Sequence, residues 1–349
     1  MTEEMPCSSR YVDRLTALWA LNEAGLGGIL NILKTPFSGL IVGGFAIMLI
    51  AMIAFFAEKK WLAIGKALIL VLIIKAAVSP FSPLAAYFAV AFQALAGAIF
   101  FSIIQNFRLS AFLFGITALL QTSCQKILVL TILYGKSLWE SIDLFFIHIL
   151  QWFGITSFNS NFSASCWLII TYIFIHAISG AAFGWLAGKL PQSVLEMIQK
   201  PVAECKKDFH KIWLSGESQD PKRPLRKRRL PRFLLTLAII STILAFLAPA
   251  VYNQNTVWYI ILRIVCVFLL WYCVLSPFLM KKLQHYLKNQ RGCYAKEVDS
   301  MLYLLPDLKR YAKVLWQKTS EQKAWLRFWQ FLVFMVVFAL TFEQEEKKL

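Results

Sequence analysis

Acidic residues are scarce in this sequence. Asp and Glu number 19 against 36 Lys and Arg in 349 residues, giving a formal net charge of +17. Charged residues of both signs reach only 16%, against roughly 25% in soluble globular domains. Histidine occurs as His148, His176, His210 and His285, at wide separations that favour structural roles. The seven cysteines (Cys7, Cys124, Cys166, Cys205, Cys266, Cys273 and Cys293) are scattered and form no C-x-x-C pair. That spacing argues against a zinc site or a disulfide framework and leaves the thiols as small apolar fillers. There is no G-x-x-x-x-G-K-[ST] loop, so the chain does not itself hydrolyse ATP by that route. G-x-S-x-G and H-E-x-x-H are missing as well. The opening stretch MTEEMPCSSRY lacks a basic region followed by an apolar core, so no cleaved signal peptide is expected there. The basic blocks carry no aromatic-basic binding module, so nucleic acid is not an expected partner. No cofactor and no enzymatic activity are expected.

Apolar residues are abundant. They make up 58% of the chain, and the mean hydropathy is +0.61. Several runs exceed about 18 residues, the length that marks a membrane-crossing helix. The fold class is therefore an all-α polytopic membrane protein. Ser38 to Ala57, Trp61 to Val78, Leu84 to Ile104, Leu109 to Leu133 and Ala164 to Leu190 each read as a span. Arg10 to Leu33 is ambiguous. It is either a glycine-broken spanning helix, with Leu15 to Leu33 crossing, or an amphipathic helix on the surface. Counting it as a span gives a six-helix membrane domain over residues 1–190. Tyr134 to Ser163 reads as a loop with an interfacial helix. Lysine and arginine then collect on one side, at Arg10, Arg14, Lys59, Lys60 and Arg108, and only Lys34 and Lys136 fall on the other. Positive residues mark cytoplasmic loops, so the N-terminus is expected inside a bacterial inner membrane.

Residues 191–232 form a basic cytoplasmic linker, and its block Lys222–Arg232 suits anionic lipid. Residues 233–349 follow as a membrane hairpin (Phe233–Ala250 and Thr256–Met280), a cytoplasmic amphipathic stretch and a terminal membrane segment. The amphipathic stretch, Lys281 to Trp325, is expected as two helices broken near Pro306, since proline removes a helix hydrogen bond. It suits a platform on the membrane or a contact with a soluble partner. The last apolar run, Phe328 to Phe342, is borderline in length for spanning.

Polar groups inside apolar runs carry the functional signal. Gln121 and Gln125 lie one helical turn apart, as do Thr122 and Lys126, so all four share one side of their helix. Glu23, Lys75 and Gln93 sit within other spans. Hydrocarbon offers such groups no partners, so they face protein or a water-filled cavity. A small solute entering from outside, with a carboxylate or phosphate, would meet these lysines in the outer half. The competing reading is helix glue, with an internal Glu23–Lys126 or Glu23–Lys75 pair. Gly180, Gly184 and Gly188 form a doubled G-x-x-x-G that allows close approach of a partner helix.

Six short helices, small-residue seams and the closing His176–Pro191 segment HAISGAAFGWLAGKLP resemble the substrate-capture subunit of energy-coupling factor vitamin transporters. The second half is similar to their coupling subunit, and Asn289-Gln290-Arg291-Gly292 is similar to the Ala-Arg-Gly motif that grips the ATPases. The resemblance implies capture of a vitamin-like molecule by Glu23, Lys75, Gln93, Gln121, Gln125 and Lys126. It also implies that separate ATPase subunits dock at Arg291 and Gly292. The alternative is a membrane scaffold that binds proteins through Lys281–Trp325.

Overall fold

The structure is a computed structural model that describes residues 8–28, 30, 38–79, 82–153, 163–199, 258, 264, 265, 267, 268, 270–318 and 324–341. About 94% of it is helix, and the described residues include no strand. In chain order the helices are α1 (Ser8–Leu21), a π-helical turn (Asn22–Leu26), α2 (Ser38–Phe56), α3 (Lys60–Val78), α4 (Leu84–Ile103), α5 (Phe107–Tyr134), α6 (Lys136–Trp152) and α7 (Ala164–Gln199). A second π-helical turn (Leu270–Leu275) precedes α8 (Ser276–Cys293), α9 (Ala295–Lys318) and α10 (Ala324–Thr341). Helices α2 to α5 and α7 are long and apolar enough to cross a membrane. The expected hairpin's first arm Phe233–Ala250 and part of its second arm Thr256–Met280, with the expected lipid-binding block Lys222–Arg232, lie outside the described residues.

The described residues fall into two units. The first draws on Met1–Lys126, Ile169–Gly216 and Leu279–Leu349, and the second on Ile127–Leu168 and Glu217–Phe278. In the first unit, α1 is the buried centre. It packs against α2, α3, α9 and α10, and Leu15, Ala17, Trp19 and Ala20 have no exposed surface. Asp13 meets Lys66 of α3 at 3.8 Å, and Glu23 meets Lys75 of α3 at 2.7 Å. Both contacts advance together along the two chains, so α1 and α3 run parallel. This sets Arg10 and Arg14 level with Lys59 and Lys60, as the charge count expects. The surface-lying reading of α1 is therefore overturned, because its apolar side is covered by its own chain. The helix is not broken at its glycines either. It widens into the π turn at Asn22, and Gly27 and Gly28 remain helical.

Two prolines are tolerated where breaks were expected. Pro306 sits inside α9, which runs unbroken from Ala295 to Lys318, and the break falls at Tyr294 instead. Leu305 and Leu308, on either side of Pro306, are buried against the core, and that packing offsets the lost hydrogen bond. Likewise α7 continues through Pro191 to Gln199, with Leu190 and Val194 fully buried. Helices α9 and α10 are antiparallel neighbours. Tyr311 stacks on Phe338 at 3.7 Å between ring centres, and Trp316 meets Phe331 at 5.4 Å.

In the second unit, Gly135 turns the end of α5 into α6 with φ 74°, a conformation that only glycine adopts without strain. Helix α6 has no buried side chain. It leaves Leu144, Phe145, Phe146 and Ile147 exposed, the pattern of an interfacial helix. Asp143 of α6 accepts a 2.7 Å hydrogen bond from the backbone N–H of Ser165, in the first turn of α7. The Ser165 hydroxyl donates to the same carboxylate at 3.0 Å.

Candidate functional site

The Lys75 ammonium donates to a Glu23 carboxylate oxygen at 2.7 Å. The two side chains are 5% and 4% exposed, so this ion pair is sealed inside the helices. Of the two internal pairs that the sequence allowed, the structure forms Glu23–Lys75. The π turn shapes the site from the α1 side, and its first residue, Asn22, donates Nδ2–H to the Val42 carbonyl of α2 at 3.0 Å. Helix α4 supplies the facing wall. The Lys75 nitrogen lies 5.8 Å from the Tyr87 ring centre. Tyr87 is 3% exposed, and its hydroxyl has no hydrogen-bond partner among the described residues. A buried unpaired hydroxyl costs free energy and leaves a donor free for one more acceptor.

Gln93, deeper on α4, is also buried. Its amide nitrogen stands 3.0 Å from where a Cβ on Gly43 would be, so the small residue on α2 makes room for the amide. Gln121 donates Nε2–H to Gln125 Oε1 at 2.9 Å, and Gln125 donates to the Ala85 carbonyl of α4 at 3.1 Å. The buried Gln121 Oε1 has no partner among the described residues. Thr122 turns instead to α2, its methyl carbon 2.7 Å from a Cβ built on Gly39. Thus the glutamines and Thr122 face different neighbours. Lys126 is half-buried and has an interaction of its own. In sum, Glu23, Lys75, Tyr87 and the Gln121–Gln125 pair gather around the Ala85–Tyr87 end of α4, and Gln93 lies farther along it. Sequence reasoning did not single out Tyr87. The available signal was a phenol one turn inside a span, opposite a buried lysine.

A second polar cluster holds the other end of α1. Lys66 lies 3.2 Å from Glu297 of α9 as well as 3.8 Å from Asp13. The Glu297 carboxyl is held below its ordinary value chiefly by its own backbone N–H in the first turn of α9; burial opposes this, and Lys66 adds to the lowering. The Arg14 guanidinium donates to the Leu340 carbonyl at 2.8 Å and to the Ala339 carbonyl at 3.3 Å. These are carbonyls at the C-terminal end of α10, where a cation is favoured.

The glycine seam is where the sequence placed it. A Cβ on Gly184 would stand 2.6 Å from the Ala111 carbonyl and 2.8 Å from Phe112 Cα of α5. A Cβ on Gly180 would stand 2.6 Å from the Gly115 carbonyl. Gly115, which the sequence reading missed, completes the crossing from the α5 side, since a Cβ there would meet the Gly180 carbonyl. Gly188 is looser, 3.3 Å from Arg108 Cα. Arg291 is exposed in the last turn of α8, and Gly292 borders open space. A shallow cleft of about 330 Å³ lies away from the ion pair, lined by residues 58–62 with Phe101 and Ser102. Among the described residues no group of His, Cys, Asp and Glu is arranged to hold a metal ion. The chain matches no family model, no curated protein and no solved structure.

Proposed function

We propose that this chain is a multi-pass membrane transport protein that captures a small vitamin-like solute for uptake and works with separate ATPase subunits. The observation that carries the reading is the sealed Glu23–Lys75 pair beside the π turn and the unpartnered Tyr87 hydroxyl. Desolvating two charges costs several kcal/mol per ion, and apolar side chains would hold α1 to α3 as well or better. Ionisable residues inside membrane helices mark solute and ion pathways, and π turns concentrate at functional sites. In this reading α1 with its π turn is the sixth crossing element. The structure is the closed form, and opening exposes the polar groups to the outer side. The N-terminus then lies on the cytoplasmic side of a bacterial inner membrane, a reading that the positive residues at Arg10, Arg14, Lys59, Lys60 and Arg108 support as to side. Separate ATPase subunits, docking at the exposed Arg291 and Gly292, would supply the energy, as the resemblance to energy-coupling factor transporters implies. Anionic lipid at Lys222–Arg232 anchors the linker. The scaffold reading has less support, because Val298, Met301, Leu305, Leu308, Tyr311 and Leu315 of α9 are already buried against the chain's own core.

Mass spectrometry on protein extracted in mild detergent tests the proposal. The expected result is a stoichiometric small solute and co-purifying ATPase subunits, with the solute lost in Lys75→Met. A preparation with no bound solute and a fixed set of non-ATPase partners would sink it.

A further inference from the structure

We infer that Lys75 and Tyr87 flank a carboxylate-binding subsite of which Glu23 holds only the lysine in this closed form, and that the captured solute presents a carboxylate to both. The inference rests on the capture reading above and names the chemistry of its solute. Three observations converge on it. First, the Lys75 ammonium already holds a carboxylate at 2.7 Å, so the geometry of such a contact is on display. Second, Tyr87 is 3% exposed and its ring lies 5.8 Å from that ammonium, yet its hydroxyl bonds to nothing among the described residues. A buried O–H without an acceptor is a donor available for one more oxygen acceptor. Third, Glu23 is carried on a π turn, a local widening of the kind found at functional sites. A solute carboxylate that replaces Glu23, free of the backbone tether that keeps Glu23 off the tyrosine, keeps the lysine neutralised and can satisfy the tyrosine as well. Exchange of one carboxylate for another avoids leaving the buried ammonium alone, which is the costly state. A phosphate would bring a second negative charge against the single Lys75 ammonium seen at the subsite among the described residues, so the carboxylate is the better match.

The test is chemical rescue with acetate. Glu23→Ala leaves Lys75 unpaired and opens space where the carboxylate stood. Thermal unfolding of this full-length variant is followed in detergent, with acetate, chloride or inorganic phosphate at equal ionic strength from solubilisation onward. For a dissociation constant on the order of 10 mM, 100 mM acetate shifts the folding equilibrium about tenfold. The expected result is a higher melting temperature in acetate alone, abolished when Lys75→Met is added and weakened several-fold by Tyr87→Phe. Recovery of folded Glu23→Ala only in acetate is the same rescue, read as yield. Glu23→Ser, which also vacates the carboxylate's place, gives the same order of salts if the alanine variant is lost in every salt. Equal stability in acetate and chloride, equal rescue by phosphate, or rescue that survives Lys75→Met overturns the subsite. None of these outcomes depends on a natural solute, so they are read separately from the solute extraction that tests capture.

Discussion

Replacing Gly184 by alanine puts a methyl group where the backbone of α5 already stands. The new Cβ would lie 2.6 Å from the Ala111 carbonyl oxygen and 2.8 Å from Phe112 Cα. Favourable contact begins near 3.5 Å, so the helices must separate by about 1 Å along the seam. Opening a packed contact in this way costs about 1–3 kcal/mol. Alanine also improves helix propensity by about 1 kcal/mol over glycine, which masks part of that cost. Gly65 supplies the control. It lies within a span, and a Cβ there meets nothing within 4 Å. Gly65→Ala therefore carries the propensity gain without the clash, and the difference between the two variants isolates the seam at about 1–3 kcal/mol. Gly115→Ala is expected to cost about as much as Gly184→Ala. The double variant should cost less than the sum, because one separation relieves both clashes. Denaturant unfolding of all four proteins in one detergent reads these differences. Equal stability of Gly184→Ala and Gly65→Ala would refute the argument, because it would mean that the two backbones are not in contact.

The sealed ion pair makes a different prediction. Glu23→Gln or Lys75→Met alone should cost about 3–5 kcal/mol, whereas Glu23→Met combined with Lys75→Met recovers most of it; strictly additive losses in this cycle would count against the pair. At the other end of α1, the carboxyl of Glu297 titrates below its ordinary value of 4.5. A lowered folded value means that its stabilising contribution is present above 4.5 and is lost as pH falls through the folded value. With both side chains about a third exposed, the effect is under about 1 kcal/mol. Amide protection in the first turn of α9, measured relative to intrinsic exchange at each pH, should therefore fall on the acid side of that value, and Glu297→Gln should flatten the response; an unchanged acid response in the variant would assign it elsewhere.

The spans were legible because hydrocarbon thickness fixes their length and the breaks between them are chemically plain. Lys59–Lys60 ends one run, Pro80–Pro83 the next and Asn106–Arg108 a third, and α2 to α5 begin or end within a few residues of those marks. The glycine seam was half legible. The spacing of Gly180 and Gly184 announces a close approach, but nothing in the sequence says that the partner is Gly115. The polar site was legible as a set of residues and not as a set of pairs. Glu23 had two lysines to choose from, and the choice of Lys75 depends on α1 lying parallel to α3. That arrangement is the part no local pattern encodes. An amphipathic helix buried by its own chain has the same periodicity as one lying on a membrane, so α1 and α9 each read equally well as surface helices. What decides the matter acts over long range. Arg14 bonds a carbonyl 326 residues away, and Lys66 ties Asp13 to Glu297. Every charged group that α1 carries inward finds a partner: Asp13 on Lys66, Arg14 on the end of α10, and Glu23 on Lys75. A helix with this much charge can occupy the centre of an apolar bundle only because each charge is answered there. The cost of removing any one of those partners is the measure of how firmly the chain specifies that position.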